Sequence, residues 1–238
     1  MTAINAWAAK DSATVYTDGA WIGDDGRLLW IAPKVVPLPH MNACMVVRGN
    51  SQTIHVLQSH LPSLFTSFDQ AVRDVGPLIL NPPPNLRAAM GPKSFNGWQL
   101  MLLGYSEHVG QFAGAFMQGT IEYGEPGWKT EPFVRLLTPL SPDLVAHVEP
   151  MHGDPGASEA GAVMDRQRRI LNTDPAGVPG YVVGGFCQRT HITREGITTS
   201  IVRRWPDKIG EPIAGPIKAQ GSVSDPFRIT ASGIPAFA

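Results

Sequence analysis

The sequence predicts a layered α+β fold in which antiparallel sheets carry helices on their outer faces. Three observations lead there. Apolar alternation at period two, broken by turn signals, fills the first fifty residues. Helical spacing replaces it after Gly49 and again from Ser158, and alternating runs return after each of those stretches.

In order along the chain, Thr2 to Trp7 and Ala13 to Thr17 read as strands joined through the turn Ala9-Lys10-Asp11-Ser12. Gly23-Asp24-Asp25-Gly26 reads as a second hairpin turn before the strand Leu28 to Ile31. Lys34 to Leu38 and Ala43 to Val47 form another strand pair, interrupted at Pro39-His40. From Ile54 to Val72 the apolar residues fit a helix, with Pro62 expected to kink or divide it. Trp98 to Gly104 and Gln111 to Gln118 are the next strands. Ser158 to Leu171 is a helix with Glu159 early and Arg166, Arg168 and Arg169 late, as the helix dipole favours. Tyr181 to Thr190 and Thr198 to Arg204 are the last strands. Segments rich in Pro and Gly, LNPPPN and GEPGWKTEP among them, read as loops, and Gly119 to Pro132 as one long loop. The expected organisation is one domain over 1–210 and a Pro/Gly-rich extension over 211–238, packed on it or between subunits.

A formal net charge of -1 offers no electrostatic basis for binding nucleic acid or an anionic membrane. The amino terminus lacks the basic start and apolar core of a signal peptide, and no apolar run is long enough to span a bilayer. A soluble cytoplasmic protein is expected. Cys44 and Cys187 are not closely spaced and read as buried thiols of a reducing compartment.

Asp18, in TVYTDGAW, raises the question of chemistry. A ribonuclease-H-like nuclease often ends its first strand in a similar Tyr-Thr-Asp-Gly, but it needs several carboxylates converging on paired metal ions. The amino-terminal turn of the first expected helix has only Asn50, Ser51 and Gln52 where a Glu is required. Two weaker signals are a Gly-Tyr-Ser-Glu-His run at 104–108, which lacks the second glycine of a nucleophile elbow, and His147, Glu149, His152 and Asp154, which lie in a Pro/Gly loop and read as solvated. No metal and no cofactor are implied.

Thr2 lies sixteen residues before Asp18, and Lys34 sixteen after it. With these spacings TAINAWAAKDSATVYTD resembles the start of the proteasome β-subunit family, including the bacterial proteasome-like peptidase that works with an ATP-driven unfoldase. The resemblance implies the four-layer αββα sandwich of amino-terminal-nucleophile hydrolases. It also implies a threonine peptidase or amidohydrolase whose nucleophile, Thr2, is exposed when Met1 is removed. The α-amine, with an ordinary pKa near ~7.7–8.0, would act as base; Lys34 would lower the pKa of the hydroxyl, and Asp18 would hold Lys34, the alternative for this pair being an ordinary ion pair at the sheet edge. Gly49, ending ACMVVRGN, is either an oxyanion donor or simply the glycine that opens the helix. Trp21, Ala32, Val36 and Val46 would line an apolar specificity pocket. Peptide or protein substrates, a homo-oligomer that could be a ring, and an ATP-dependent unfoldase partner are implied as well. The chain departs from the family at Ala20, where an Arg is usual, and at 180–183, where an Asp and a Ser usually precede the glycine pair matched by Gly184-Gly185. These departures leave open a catalytically degenerate assembly subunit.

Overall fold

The computed structural model describes residues 2–48, 51–90, 99–122, 125–151, 153–173, 179–214 and 228–230. The expected amino-terminal hairpin is β1 (Ile4–Ala8) and β2 (Ser12–Asp18), paired antiparallel with Ile4 opposite Thr17 and Ala8 opposite Ala13. Two short strands follow, β3 (Ala20–Ile22) and β4 (Leu28–Ile31), as a separate ribbon. Next come β5 (Val35–Leu38) and β6 (Ala43–Arg48). The first helical region contains α1 (Ser51–His60), α2 (Phe68–Leu80) and α3 (Pro84–Met90). The long hairpin β7 (Gln99–Ser106), β8 (Gln111–Glu122) and β9 (Glu125–Phe133) leads to β10 (Arg135–Thr138). Then come α4 (Pro142–Val148), α5 (Gly156–Gln167), the ribbon β11 (Asn172–Thr173) and β12 (Pro179–Gly180), and the hairpin β13 (Phe186–Thr193) and β14 (Gly196–Arg204). The last described strand is β15 (Arg228–Thr230).

Two larger antiparallel sheets dominate. One has the order β14-β13-β2-β1-β10-β15 and the other β5-β6-β7-β8-β9. Strand alternation sends Ile4, Ala6, Ala13 and Val15 of the first sheet against Val35, Cys44, Val46 and Met101 of the second, in a shared apolar layer. The opposite face of the five-stranded sheet, through Met45, Val47 and Leu100, meets Phe68, Val72 and Val75 of α2. The opposite face of the six-stranded sheet, through Ala3, Trp7 and Tyr16, meets Leu144, Ala160 and Met164 of α4 and α5.

The expected helix-flanked four-layer αββα sandwich is corrected by the balance of elements. The described residues are mostly antiparallel sheet, 43% strand against 27% helix, and the five α-helices among them are short. The longest among the described residues, α2, has 13 residues. Prolines and polar stops account for this. His60 is followed by a 3-10 turn over Leu61–Ser63, so the helical region from Ile54 to Val72 is divided at Pro62 into two α-helices separated by that turn. Ser67 caps α2 by accepting the Gln70 N–H, and α2 stops at Asn81 before three prolines.

Several loops of the sequence reading are regular structure. Residues 125–132 belong to β9, which tolerates Pro126 and Pro132 because it is the edge strand of its sheet. LNPPPN contributes the first turn of α3, whose first residue is Pro84. Strand β10 and helix α4 were not anticipated, although β10 is an interior strand, with Ile4 opposite Thr138. The expected strand from Tyr181 begins only at Phe186, because Gly184-Gly185 turns the chain, with Gly185 at φ +73°. Part of the extension joins the body: Ile213 is buried against Ala20 and Leu28, and β15 pairs with β10. Among the described residues no helix is long and apolar enough to cross a membrane.

Candidate active site

Asp18 closes β2 in full burial, and the chain leaves the sheet at Gly19. The Asp18 carboxylate accepts five hydrogen bonds. Lys34 Nζ donates to both oxygens, at 2.9 Å to Oδ1 and 3.0 Å to Oδ2. The backbone N–H of Ala3 donates to Oδ1 at 2.9 Å, and those of Ala20 and Gly184 donate to Oδ2 at 3.1 and 3.3 Å. A carboxylate satisfied in this way has no oxygen left over for a metal shared with other carboxylates. Asp69 and Asp74 are engaged elsewhere, with Ser106 and Arg73, and among the described residues no cluster of three or more His, Cys, Asp or Glu side chains could hold a metal ion.

Thr2 is joined to this carboxylate through the next peptide unit, since the N–H of Ala3 is the donor. Thr2 is 5% exposed and Lys34 3%. Burial holds the Lys34 ammonium below its ordinary pKa, and the charge of Arg48 adds to the depression, while the attraction and hydrogen bonds of Asp18 oppose it. Lys34 is therefore a buried cation held on both oxygens of Asp18.

The local backbone explains why Asp is followed by Gly. The Gly19 N–H donates to Gly184 O at 3.0 Å, and Gly19 O accepts the Ala32 N–H at 3.0 Å. A Cβ on Gly19 would lie 2.8 Å from the Phe186 ring, so the aromatic face of β13 requires a bare Cα there. Gly184 is itself held from behind. Asp207 accepts the Gly185 N–H at 2.7 Å and pairs with Arg168, which also donates to Val183 O at 2.9 Å. The Trp205 N–H donates to Gly185 O at 3.0 Å, and the Arg168 guanidinium lies 5.4 Å from the Trp205 ring centroid.

Arg48, at the end of β6, is 6% exposed and donates through Nη1 to Thr138 Oγ1 at 3.0 Å. Burial pulls its guanidinium down to about 10, against the favourable charge of Asp18. Arg48, Arg168 and Asp207 were not read as site residues. Arg48 was hidden inside an apolar run, while Asp207 sits 39 residues from Arg168 with no spacing rule to connect them.

The other expected site residues divide. Gly49 and Met1 lie outside the described residues. Trp21 is half-buried, donates its indole N–H to Ala32 O at 3.3 Å, and stacks on Trp30 and His55 with centroids 5.6 and 5.4 Å away. Trp21 and Val36 both pack on the outer apolar layer of the five-stranded sheet. Val46 does not join them. It is opposite Val35 and faces the core between the sheets, and the cross-strand neighbour of Val36 is Met45. A pocket built on Trp21 and Val36 therefore takes Met45 in place of Val46, because a one-residue step along a strand reverses the face.

The weaker chemical signals resolve as structural groups. Ser106 donates to Asp69 at 2.6 Å and accepts the Val109 N–H, so it fastens a turn. His147 Nε2 lies 3.0 Å from a Glu159 oxygen without hydrogen-bond alignment, Asp154 belongs to a cluster with Tyr16 and Arg189, and His152 is outside the described residues. Both cysteines are buried, Cys187 with its thiol pushed up to about 12 by burial and the nearby carboxylates. No protein-family model and no curated protein matches the chain.

Proposed function

We propose that the chain is a threonine-type peptidase or amidohydrolase of the proteasome-like kind, in which Thr2 becomes the amino-terminal residue on removal of Met1 and attacks a peptide or amide carbonyl. The observation that carries this reading is the buried Asp18–Lys34 pair bonded to the backbone beside Thr2. A threonine hydroxyl needs an adjacent base, and a free Thr2 α-amine would take its proton and return it to the leaving amine. Lys34 would stabilise the developing alkoxide, and Asp18 would orient Lys34. Trp21, Val36 and Met45 favour an apolar side chain on the substrate. A cytoplasmic setting, assembly of several copies into a ring, and delivery of substrate by an ATP-driven unfoldase belong to the same proposal.

A second reading has its own observation. Val183 is fully buried in an apolar cluster, in the segment where the family resemblance calls for an Asp and a Ser. That favours a subunit that keeps the Asp18–Lys34 frame for assembly alone. One experiment separates the two. Intact-mass analysis should show loss of Met1, and an epoxyketone or β-lactone probe should label wild type but not Thr2→Ala. Retained Met1, or equal labelling of both proteins, sinks the peptidase reading.

A further inference from the structure

From Trp205 to Ala214 the chain crosses the Gly184-Gly185 turn and then runs beside β4, and it is fixed along its length. The Trp205 N–H donates to Gly185 O at 3.0 Å and its indole N–H to Asp165 at 2.9 Å. Further on, the Gly210 N–H donates to Leu28 O at 2.8 Å, the Leu28 N–H donates to Glu211 O at 2.9 Å, and Ile213 shares a buried apolar cluster with Ala20 and Leu28. Where the segment meets the turn the packing is close: a Cβ on Gly184 would lie 2.6 Å from Asp207 Oδ2 and 2.7 Å from Ile213 Cδ1. This segment backs one oxygen of Asp18. Oδ2 takes its backbone bonds from Ala20 and Gly184, the two residues packed with Ile213, whereas Oδ1 takes its backbone bond from Ala3, which packs in the cluster under α4 and α5. The turn also joins two ion pairs. The consecutive N–H groups of Gly184 and Gly185 donate to Asp18 at 3.3 Å and to Asp207 at 2.7 Å, and each carboxylate has its own cation, Lys34 for one and Arg168 for the other. The Gly184 bond is the longest of the five on Asp18, so a small shift of the turn breaks it first.

We propose that Asp207 and Ile213 are positioning residues for the Asp18–Lys34 pair: they hold the Gly184-Gly185 turn and Ala20 on Asp18 Oδ2, so that both oxygens of the carboxylate stay on Lys34. Asp207 holds the turn from behind by accepting the Gly185 N–H, with its charge matched by Arg168, and Ile213 fills the space that the bare Cα at 184 leaves. Loosening the segment frees two N–H groups from Oδ2 and leaves Ala3 on Oδ1, so the carboxylate turns and Lys34 loses one of its two bonds. The inference rests on the peptidase reading only for the use of the pair in catalysis.

The test is amide hydrogen exchange in the isotope-labelled full-length chain, followed by nuclear magnetic resonance, together with trace acetylation of Lys34 read by mass spectrometry. Losing a hydrogen bond to a charged group makes local opening about tenfold or more easier. In Asp207→Ala the Ala20 and Gly184 amides should exchange faster than in wild type by about that factor, the Ala3 amide should stay near wild type, and Lys34 should acetylate faster. Ile213→Val removes only the Cδ1 carbon beside Gly184; it should shift the same amides in the same direction by less, and it carries the test should Asp207→Ala fail to fold. Ser106→Ala breaks a buried hydrogen bond on the other sheet, to Asp69, and should leave all of these readings unchanged. Protection lost equally at Ala3, Ala20 and Gly184, no loss in a folded variant, or an equal response in Ser106→Ala overturns the inference. Probe labelling at Thr2 is a separate readout. The expected exchange pattern without labelling would sink the peptidase reading and leave this one standing, and labelling with a uniform loss of protection would do the reverse.

Discussion

Lys34 Nζ sits 2.9 and 3.0 Å from the two oxygens of Asp18, a contact made in nearly complete burial between residues sixteen apart in the chain. Removing one member of such a pair strands the other, typically at a cost of about 3–5 kcal/mol. Asp18→Ala should cost more than Lys34→Met, because it also frees the N–H groups of Ala3, Ala20 and Gly184. Urea unfolding checks the order, and the double variant should be clearly less destabilised than the sum of the two. Strict additivity would mean that the contact contributes no coupling.

Gly19→Ala introduces a Cβ 2.8 Å from three carbons of the Phe186 ring. Overpacking of this kind costs about 1–3 kcal/mol. The loss should be recovered in part by Phe186→Leu in the same chain, which opens the space. Thermal denaturation of the single and double variants measures it, and a Gly19→Ala protein as stable as wild type would show that the ring moves aside freely.

The Asn5 and Gln167 side chains exchange two hydrogen bonds, at 2.7 and 2.8 Å, and Gln167 also donates to Pro139 O at 3.0 Å. This buried amide pair joins β1 to α5. Asn5→Ala should cost about 1–3 kcal/mol by leaving the Gln167 amide short of partners. Asn5→Leu combined with Gln167→Leu should be milder than either single change predicts, as a double-mutant cycle in urea would show.

Stability should fall in acid through two groups of one cluster. Asp154 accepts hydrogen bonds from Tyr16 at 2.6 Å, from Thr14 at 2.9 Å and from Arg189 at 2.8 Å. Burial alone would raise its pKa, but these bonds and the Gly156 N–H outweigh it and bring the carboxyl to about 2. The unfolded chain, with its Asp near ~3.9, takes up the proton first, so the contribution is complete above that value and is lost as pH falls towards about 2. His191, 2.8 Å from Thr14 Oγ1, is held below its ordinary value by burial and by the charge of Arg189. It too binds its proton more readily when unfolded, so stability declines as pH drops below ~6.5. Asp154→Asn should flatten the lower part of the curve of urea midpoint against pH, and His191→Asn the upper part. Curves parallel to wild type would count against the assignment.

Part of the six-stranded sheet was readable, and β1, β2 and β14 fall close to where the sequence pattern and its turn signals put them. Helix α4 was missed because seven residues give too few turns for a periodic signal, and β10 because Arg135 to Thr138 is too short to alternate visibly. The edge strand β9 was missed for another reason. Its prolines and glycine argue against a strand, and only its place at the border of the sheet, with one side free of ladder bonds, permits them. The helix-flanked sandwich expected from the resemblance gives way to a more β-rich balance, with five short helices among the described residues.

In the site, the sequence alone determined what a local hairpin can bring together. Thr2 and Asp18 lie at the open ends of the hairpin β1–β2, so their proximity follows from a single turn at 9–12 and the register it sets. The equal spacing to Lys34 marked a partner for Asp18 on the other side. Tertiary structure decided everything that depends on contacts distant in sequence. The Gly184 N–H reaches Asp18 across 166 residues, Arg48 reaches Thr138 across 90, and Val46 turns away from Val36 because the sheet gives each residue of a strand the opposite face from its neighbour. Residue type and spacing carry no record of such contacts. They are set by how two sheets bury their apolar faces against each other, and by which polar groups that burial leaves together at the end of the shared layer.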